Sequence, residues 1–152
     1  SCFPKDIKAL IKIAKENGCD SKLITAVEEV NDSQKTVITK KIIKRFGSNL
    51  TGRSFGVWGL AFKPGTDDMR EAPSIYVIKE LVKLGASIKA YDPKAIDEAK
   101  ECYLKGLKNI IYVESKYDAL KESDALILLT EWKEFRSPDF KKIKVIICIN
   151  KP

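Results

Sequence analysis

The sequence predicts an α/β fold: a long N-terminal helical segment, residues 1–50, followed by a doubly wound, mainly parallel sheet, residues 51–152. Three observations predict it. Apolar residues recur with helical spacing through the first part. A turn-rich linker, "GSNLTG" (47–52), then breaks the pattern. Beyond it, short apolar runs alternate with amphipathic ones, the order that builds parallel strands joined by crossover helices.

The elements follow in chain order. "FPKDIKALIKIAKENG" places Pro4 where a first helical turn tolerates it, apolar residues at Ile7, Leu10, Ile11 and Ala14, and Gly18 at the stop. Asp20 or Ser21 caps the next helix, whose apolar face runs Leu23, Val27, Val30, Val37, Ile38, Ile42 and Phe46 up to Gly47. As a single helix of roughly 25 residues it would extend ~35 Å, more than one covering helix of a small domain needs. It is therefore expected to bridge two domains or to pack on a symmetry mate. "SFGVWGLAF" reads as a buried strand, "APSIYVIKELVKLG" as a helix with Pro73 at its start and Gly85 at its end, and "SIKAYD" as a second strand. A helix near Ile96–Cys102, a strand at Asn109–Val113, a helix near Tyr117–Leu120, the strand "DALILLT", a short helical stretch and a last strand "KVIICI" complete the alternation. In such a sheet, ligands sit at the carboxyl ends of the strands.

Composition narrows the function. The net charge of +7 suits an anionic ligand, but the lysines are dispersed. The one dense cluster, Lys40, Lys41, Lys44 and Arg45, lies in a helical pattern without interleaved aromatics, the mark of a solvated face rather than of nucleic-acid contact. No apolar run approaches the ~20 residues of a membrane span, and the first residues lack a signal-peptide pattern, so a cytoplasmic protein is expected. Cys2, Cys19, Cys102 and Cys148 form no C-x-x-C pair and the chain has no histidine, which argues against a metal centre and for free thiols in a reducing compartment. Cys148, amid "VIICI", reads as core.

Two stretches carry candidate chemistry. After the first strand, "GLAFKPGTDDMREAPS" enters its helix through a loop of about ten residues, longer than the usual link. Lys63 can act there as a point charge and Arg70 as a fork for an oxyanion. Alternatively, Asp67, Asp68 and Glu71 neutralise both cations; residue types leave the two readings open. Gly56 and Gly59 do not make a G-x-G-x-x-G, so they are read as packing glycines, with Asp92 and Pro93 as a turn. At the chain start, Cys2 precedes a helix whose N-terminus favours a thiolate, Lys5 adds positive charge and Asp6 shares its first turn.

With these motifs in hand, "SCFPKD" resembles the catalytic cysteine loop of the UDP-glucose 6-dehydrogenases, of the UDP-glucose/GDP-mannose dehydrogenase family, and "GLAFKPGTDDMREAPS" the opening of their C-terminal domain. "AVEEVNDSQ" is similar to their central helix and "LTEWKEF" to a later motif. The resemblance implies an NAD-dependent, four-electron oxidation of UDP-glucose to UDP-glucuronate, on a Rossmann-like sheet. Cys2 would be the nucleophile, passing through a thiohemiacetal and a thioester, with Asp6 assisting the hydrolytic water. Lys5 and Arg70 match positions that contact NAD, and Phe62 and Lys63 positions that bind substrate. By the same likeness, 1–50 holds the cysteine loop and the central dimerisation helices, and 51–152 is the nucleotide-sugar (UDP)-binding domain.

Further expectations follow from the likeness: a homodimer through the long helix, an N-terminal NAD-binding domain absent from this chain, and inactivity of the chain alone. The end departs from the pattern, with Cys148, Ile149 and Asn150 where the family has aspartate, glycine and a substrate-contacting arginine. A UDP-N-acetylhexosamine or GDP-mannose dehydrogenase is the near alternative, and a non-catalytic nucleotide-binding or dimerisation module the distant one.

Overall fold

The computed structural model describes residues 2–149, with side chains from 5 to 147. Helix α1 (Cys2–Glu16) and helix α2 (Lys22–Lys35) form a hairpin, and α3 (Val37–Phe46) continues from α2. Gly18, at φ 67, ends α1 in the left-handed conformation that glycine adopts freely. The backbone N–H of Lys22 donates to Asp20 Oδ1 at 3.1 Å, so Asp20 supplies the side-chain acceptor at the start of α2.

The single long helix expected from periodicity is instead α2 and α3, joined at Thr36. The Thr36 N–H bonds the Ser33 carbonyl three residues back, at 3.1 Å, and the Thr36 hydroxyl donates to the same carbonyl at 2.7 Å. The Ser33 hydroxyl does likewise to Val30, at 2.8 Å. Consecutive side-chain bonds to the preceding turn compete with the helical ladder and tighten it locally.

The sheet contains β1 (Ser54–Trp58), β2 (Ser87–Tyr91), β3 (Ile110–Tyr112) and β4 (Ala125–Leu128), in spatial order β3-β2-β1-β4, with all pairings parallel. Helix α4 (Pro73–Lys83) links β1 to β2, and α5 (Ile96–Glu98) runs into a π-helical turn, Ala99–Tyr103, before β3. A 3₁₀ turn, Asp118–Leu120, precedes β4, and because β4 returns to the side of β1 away from β2, the strand order reverses between β1 and β4. In register, Phe55 faces Ile88 on one side and Ala125 on the other.

Strand β1 is central and buried from Phe55 to Trp58, as expected of a parallel strand covered on both faces. The core adds Ile88 and Ala90 from β2, Val77, Ile78 and Leu81 from α4, and Leu120. Asp124 stitches the start of the sheet: Oδ1 accepts from Arg53 at 2.8 Å and Oδ2 from the Ser54 N–H at 2.9 Å. Two glycines of β1 and its exit are fixed by close approach. A Cβ on Gly56 would lie 2.5 Å from the Ala119 carbonyl oxygen, and one on Gly59 (φ +94) 2.5 Å from Thr130 Cβ.

The last segment also departs from expectation. Residues Phe140–Ile149 form α6, not a strand. Asp139 Oδ1 accepts the Lys142 N–H at 3.0 Å, and Ile143, Ile146 and Ile147 recur at helical spacing to meet the core. That cap and that period outweigh the β-branched run. The Cys148 side chain and Asn150 lie outside the described residues. No helix among the described residues is long and apolar enough to cross a membrane.

The glycine at the β1 exit gives a direct test. Gly59→Ala forces a side chain into both a left-handed backbone and an occupied space, and should cost about 2–4 kcal/mol. Urea unfolding checks this, with Gly65→Ala, also at positive φ but with open space around its Cβ position, losing only the smaller backbone part.

Candidate functional site

The carboxyl ends of β1, β2 and β4 meet around Asp92, 2% exposed, at the end of β2. Its Oδ2 accepts the N–H groups of Leu60 at 2.7 Å and Ala61 at 3.1 Å, and the indole N–H of Trp132 at 3.0 Å. Its Oδ1 accepts the N–H groups of Lys94 at 2.8 Å and Ala95 at 2.9 Å. The turn role expected of Asp92 is thus part of a wider one, because the same carboxylate also holds the loop after β1 and the segment after β4. Hydroxyls complete the seam: Ser74 donates to the Leu60 carbonyl and Thr130 to the Ala61 carbonyl.

Loop 59–72 rises from this seam. The Phe62 N–H donates to the Asp68 carbonyl at 2.8 Å, which closes the loop, while the half-buried Phe62 ring packs at the edge of the core. Lys63 is exposed and makes no hydrogen bond or ion pair among the described residues. Arg70 does pair: its Nε and Nη2 donate to the two oxygens of Asp68 at 2.9 and 2.8 Å. Its side-chain and backbone bonds hold the Asp68 carboxyl far below the usual carboxylate range.

Glu71 does something the sequence did not reveal. It stands at φ 57, and its Oε2 accepts from Lys35 of α2 at 3.0 Å and from the Tyr76 hydroxyl at 3.0 Å. Hydrogen bonds from Lys35 and then Tyr76 lower the Glu71 pKa. Burial works against the charge of Lys35, but hydrogen bonds to Asp32 and Glu71 together outweigh it and keep the ammonium firmly protonated. The neutralisation reading therefore holds for Arg70, fails for Lys63, and assigns Glu71 to the wrong cation. The pairing spans 36 residues and leaves no local signature; only the i,i+3 spacing of Asp32 and Lys35 hinted at a partnered lysine.

Helix α1 begins at Cys2, whose side chain lies outside the described residues. Lys5 and Asp6 follow, both exposed and without partners among the described residues. Lys8 of the same helix approaches Glu71 at 4.0 Å, which joins α1 to loop 59–72. A recess of about 610 Å³ between β2, β3 and α6, lined by Lys89, Ile111 and Val145 among others, contains none of the sequence-predicted site residues. No group of three or more metal-ligating side chains occurs among the described residues.

The UDP-glucose/GDP-mannose dehydrogenase family, UDP binding domain, matches residues 56–152, and the central domain of the same family matches 1–33. UDP-glucose 6-dehydrogenase of Pseudomonas aeruginosa is 43% identical over 95% of this chain and 32% of its own length. UDP-glucose 6-dehydrogenase TuaD of Bacillus subtilis is 44% identical over 97% of this chain and 31% of its own. The structure of a UDP-glucose dehydrogenase from the archaeon Pyrobaculum islandicum superposes with a TM-score of 0.83 at 34% identity, covering 92% of this chain and 32% of that one. The chain thus spans about a third of the length of these relatives.

Two measurements follow from the geometry. Asp92→Asn turns a donor toward N–H groups that now meet an acceptor, and should lower stability by about 3 kcal/mol or more in urea unfolding. The depressed carboxyls fix the sign of the acid response. Asp68 and Glu71 ionise more readily in the folded chain than at their ordinary values of 3.8 and 4.5. Their contribution is complete above those values and is lost as pH falls through the lower folded ones. The urea midpoint should therefore drop between pH 5 and pH 2, and Asp68→Asn should flatten that limb.

Proposed function

The chain belongs to the UDP-glucose/GDP-mannose dehydrogenase family, and from that footing we propose that it is the C-terminal part of an NAD-dependent UDP-glucose 6-dehydrogenase, converting UDP-glucose to UDP-glucuronate. One observation carries the reading: Lys63 stands exposed and without a partner among the described residues, in a loop pinned at the strand-order reversal, while its neighbouring cation Arg70 is already paired. A free ammonium at that place suits a diphosphate or a sugar oxygen. Phe62, fixed by its backbone bond to Asp68, gives an apolar neighbour to that ammonium.

In this reading Cys2 is the nucleophile. Its thiolate adds to the carbonyl carbon of the aldehyde stage; after further oxidation, water attacks the thioester carbonyl, the C–S bond breaks and the thiolate is restored. Asp6, one turn along α1, orients that water and takes its proton. The two hydrides would leave one at a time, each to its own NAD, two NAD molecules being used in turn. The residues of this chain fit its rim rather than its cradle. The Leu60 and Ala61 N–H groups at the β1 exit already serve Asp92 and cannot hold a pyrophosphate, whereas Lys5 and the Asp68-oriented Arg70 offer exposed positive charge.

The cradle then comes from an N-terminal NAD-binding domain outside this chain, without which the chain does not turn over. The α1–α2 hairpin supports a homodimer, since it exposes Leu10, Ile13, Leu23 (80%), Val27 and Val30 (60%). Exposed free Cys19 and Cys102 suit a reducing cytoplasm, where the product would feed polysaccharide biosynthesis.

Isothermal calorimetry tests the reading. UDP-glucose should bind in preference to GDP-mannose, and Lys63→Ala should weaken it by about tenfold or more, the worth of a hydrogen bond to a charged group. Equal uptake of both sugars, or indifference to Lys63→Ala, would defeat the assignment.

A further inference from the structure

The helix that opens with Cys2 and the loop that bears Lys63 meet at a cluster of charges not assigned above to substrate or cofactor. Glu71 is its hub. Its carboxylate bonds Lys35 of α2 and Tyr76 of α4 and faces Lys8 of α1 at 4.0 Å, so three helices converge on one side chain of the loop. Lys35, only 10% exposed, also bonds Asp32 at 2.8 Å and lies 4.6 Å from the centre of the Tyr76 ring. Lys8 stands 3.5 Å from Glu28, whose carboxylate oxygens are buried without a hydrogen-bond partner among the described residues.

Two features set this cluster apart from a casual surface pair. Glu71 occupies the left-handed region at φ 57, a conformation that a residue with a Cβ adopts at a cost and keeps only where its surroundings enforce it. In addition, among the described side chains neither α1 nor α2 contributes one to the hydrophobic core. The hairpin lies on the sheet domain with little apolar burial to fix its angle, and a hydrogen-bonded charge network supplies the directional constraint instead.

We propose that Glu71 is a positioning residue, which sets the Cys2-bearing helix against the Lys63 loop so that thiol and bound nucleotide sugar meet in a fixed register. The proposal rests on the roles given above to Cys2 and Lys63. Lys8 is six residues along α1 from Cys2, about 9 Å by the helical rise, so a contact there governs the first turn. A displacement of about 1 Å at a reacting group costs on the order of a hundredfold in rate, which is what such a network guards against.

The test separates position from stability and from ligand binding. Nitroxides on Cys19, at the far end of α1, and on Cys102, on the sheet domain, are placed in the full chain carrying Cys2→Ser and Cys148→Ser, and their separation is measured by pulsed electron resonance. One narrow distance is expected. Glu71→Gly, which suits φ 57 but removes the carboxylate, and the isosteric Glu71→Gln should both broaden or shift it at a temperature where circular dichroism shows the variant still folded. An unchanged distance in Glu71→Gln overturns the proposal, whether or not Glu71→Gly folds. In a chain with Cys19→Ser, Cys102→Ser and Cys148→Ser, UDP-glucose should alter the alkylation rate of Cys2. Glu71→Gln should keep UDP-glucose affinity and lose that response; a response equal to the parent's also overturns the proposal. If the parent fails to bind UDP-glucose, the functional reading falls while the distance measurement still judges Glu71.

Discussion

The carboxylate of Asp92 is the constraint on which the rest of the structure depends. Parallel strands end together, and the loops leaving their carboxyl ends carry N–H groups with no strand to pair with. One buried acceptor pair answers five of these donors, from the exits of β1 and β2 and from the indole after β4. A buried charge is tolerable only when so fully bonded. The same bonds decide what the site can bind, because the N–H groups that grip a phosphate in a dinucleotide fold here point inward. The side chains left facing solvent there are those of the loop above, Lys63 and Arg70 among them.

Within that loop, neighbouring charges are sorted by geometry rather than by sequence distance. Asp68 takes Arg70 through two parallel bonds, while Glu71, with its backbone in the left-handed region, turns to Lys35 and Tyr76. Lys63 is left over. An acidic stretch that looks self-neutralising therefore ends with one oriented guanidinium and one ammonium unpaired among the described residues, the pair of cation types that suits forked and point-charge contacts respectively.

What the sequence disclosed and what it hid follow the same division between local and distant terms. The strands were legible because buried parallel strands are continuous apolar runs bounded by glycine, as in "SFGVWG". The break at Thr36 was not, because apolar period continues across it while Ser and Thr hydroxyls decide the geometry. Nor was α6, where "KVIICI" satisfies strand and helix patterns alike and the Asp139 cap settles the matter. Of the site, Arg70 and Lys63 were visible as cations in a long loop, and Cys2 as a thiol at a helix start. The bonds from Asp92 to Trp132 and from Glu71 to Lys35 join residues 40 and 36 apart, and periodicity carries no trace of them.

Stability and positioning are supplied by different interactions in this chain. Among the described side chains, the hydrophobic core lies on and around the sheet and takes from the helical segment Ile38, Ile42 and Phe46 of α3, with Leu50 just beyond it. Apolar burial is strong but non-directional, and it stops short of the hairpin that begins with Cys2. Charged hydrogen bonds are weaker in net terms but fix angles. The apolar face of the hairpin is left outward, at Leu23 and Val30, where the same non-directional force remains available for another surface. A segment joined to its own domain by polar contacts and open to apolar ones can be gripped from outside while Glu71 and Lys35 hold its orientation.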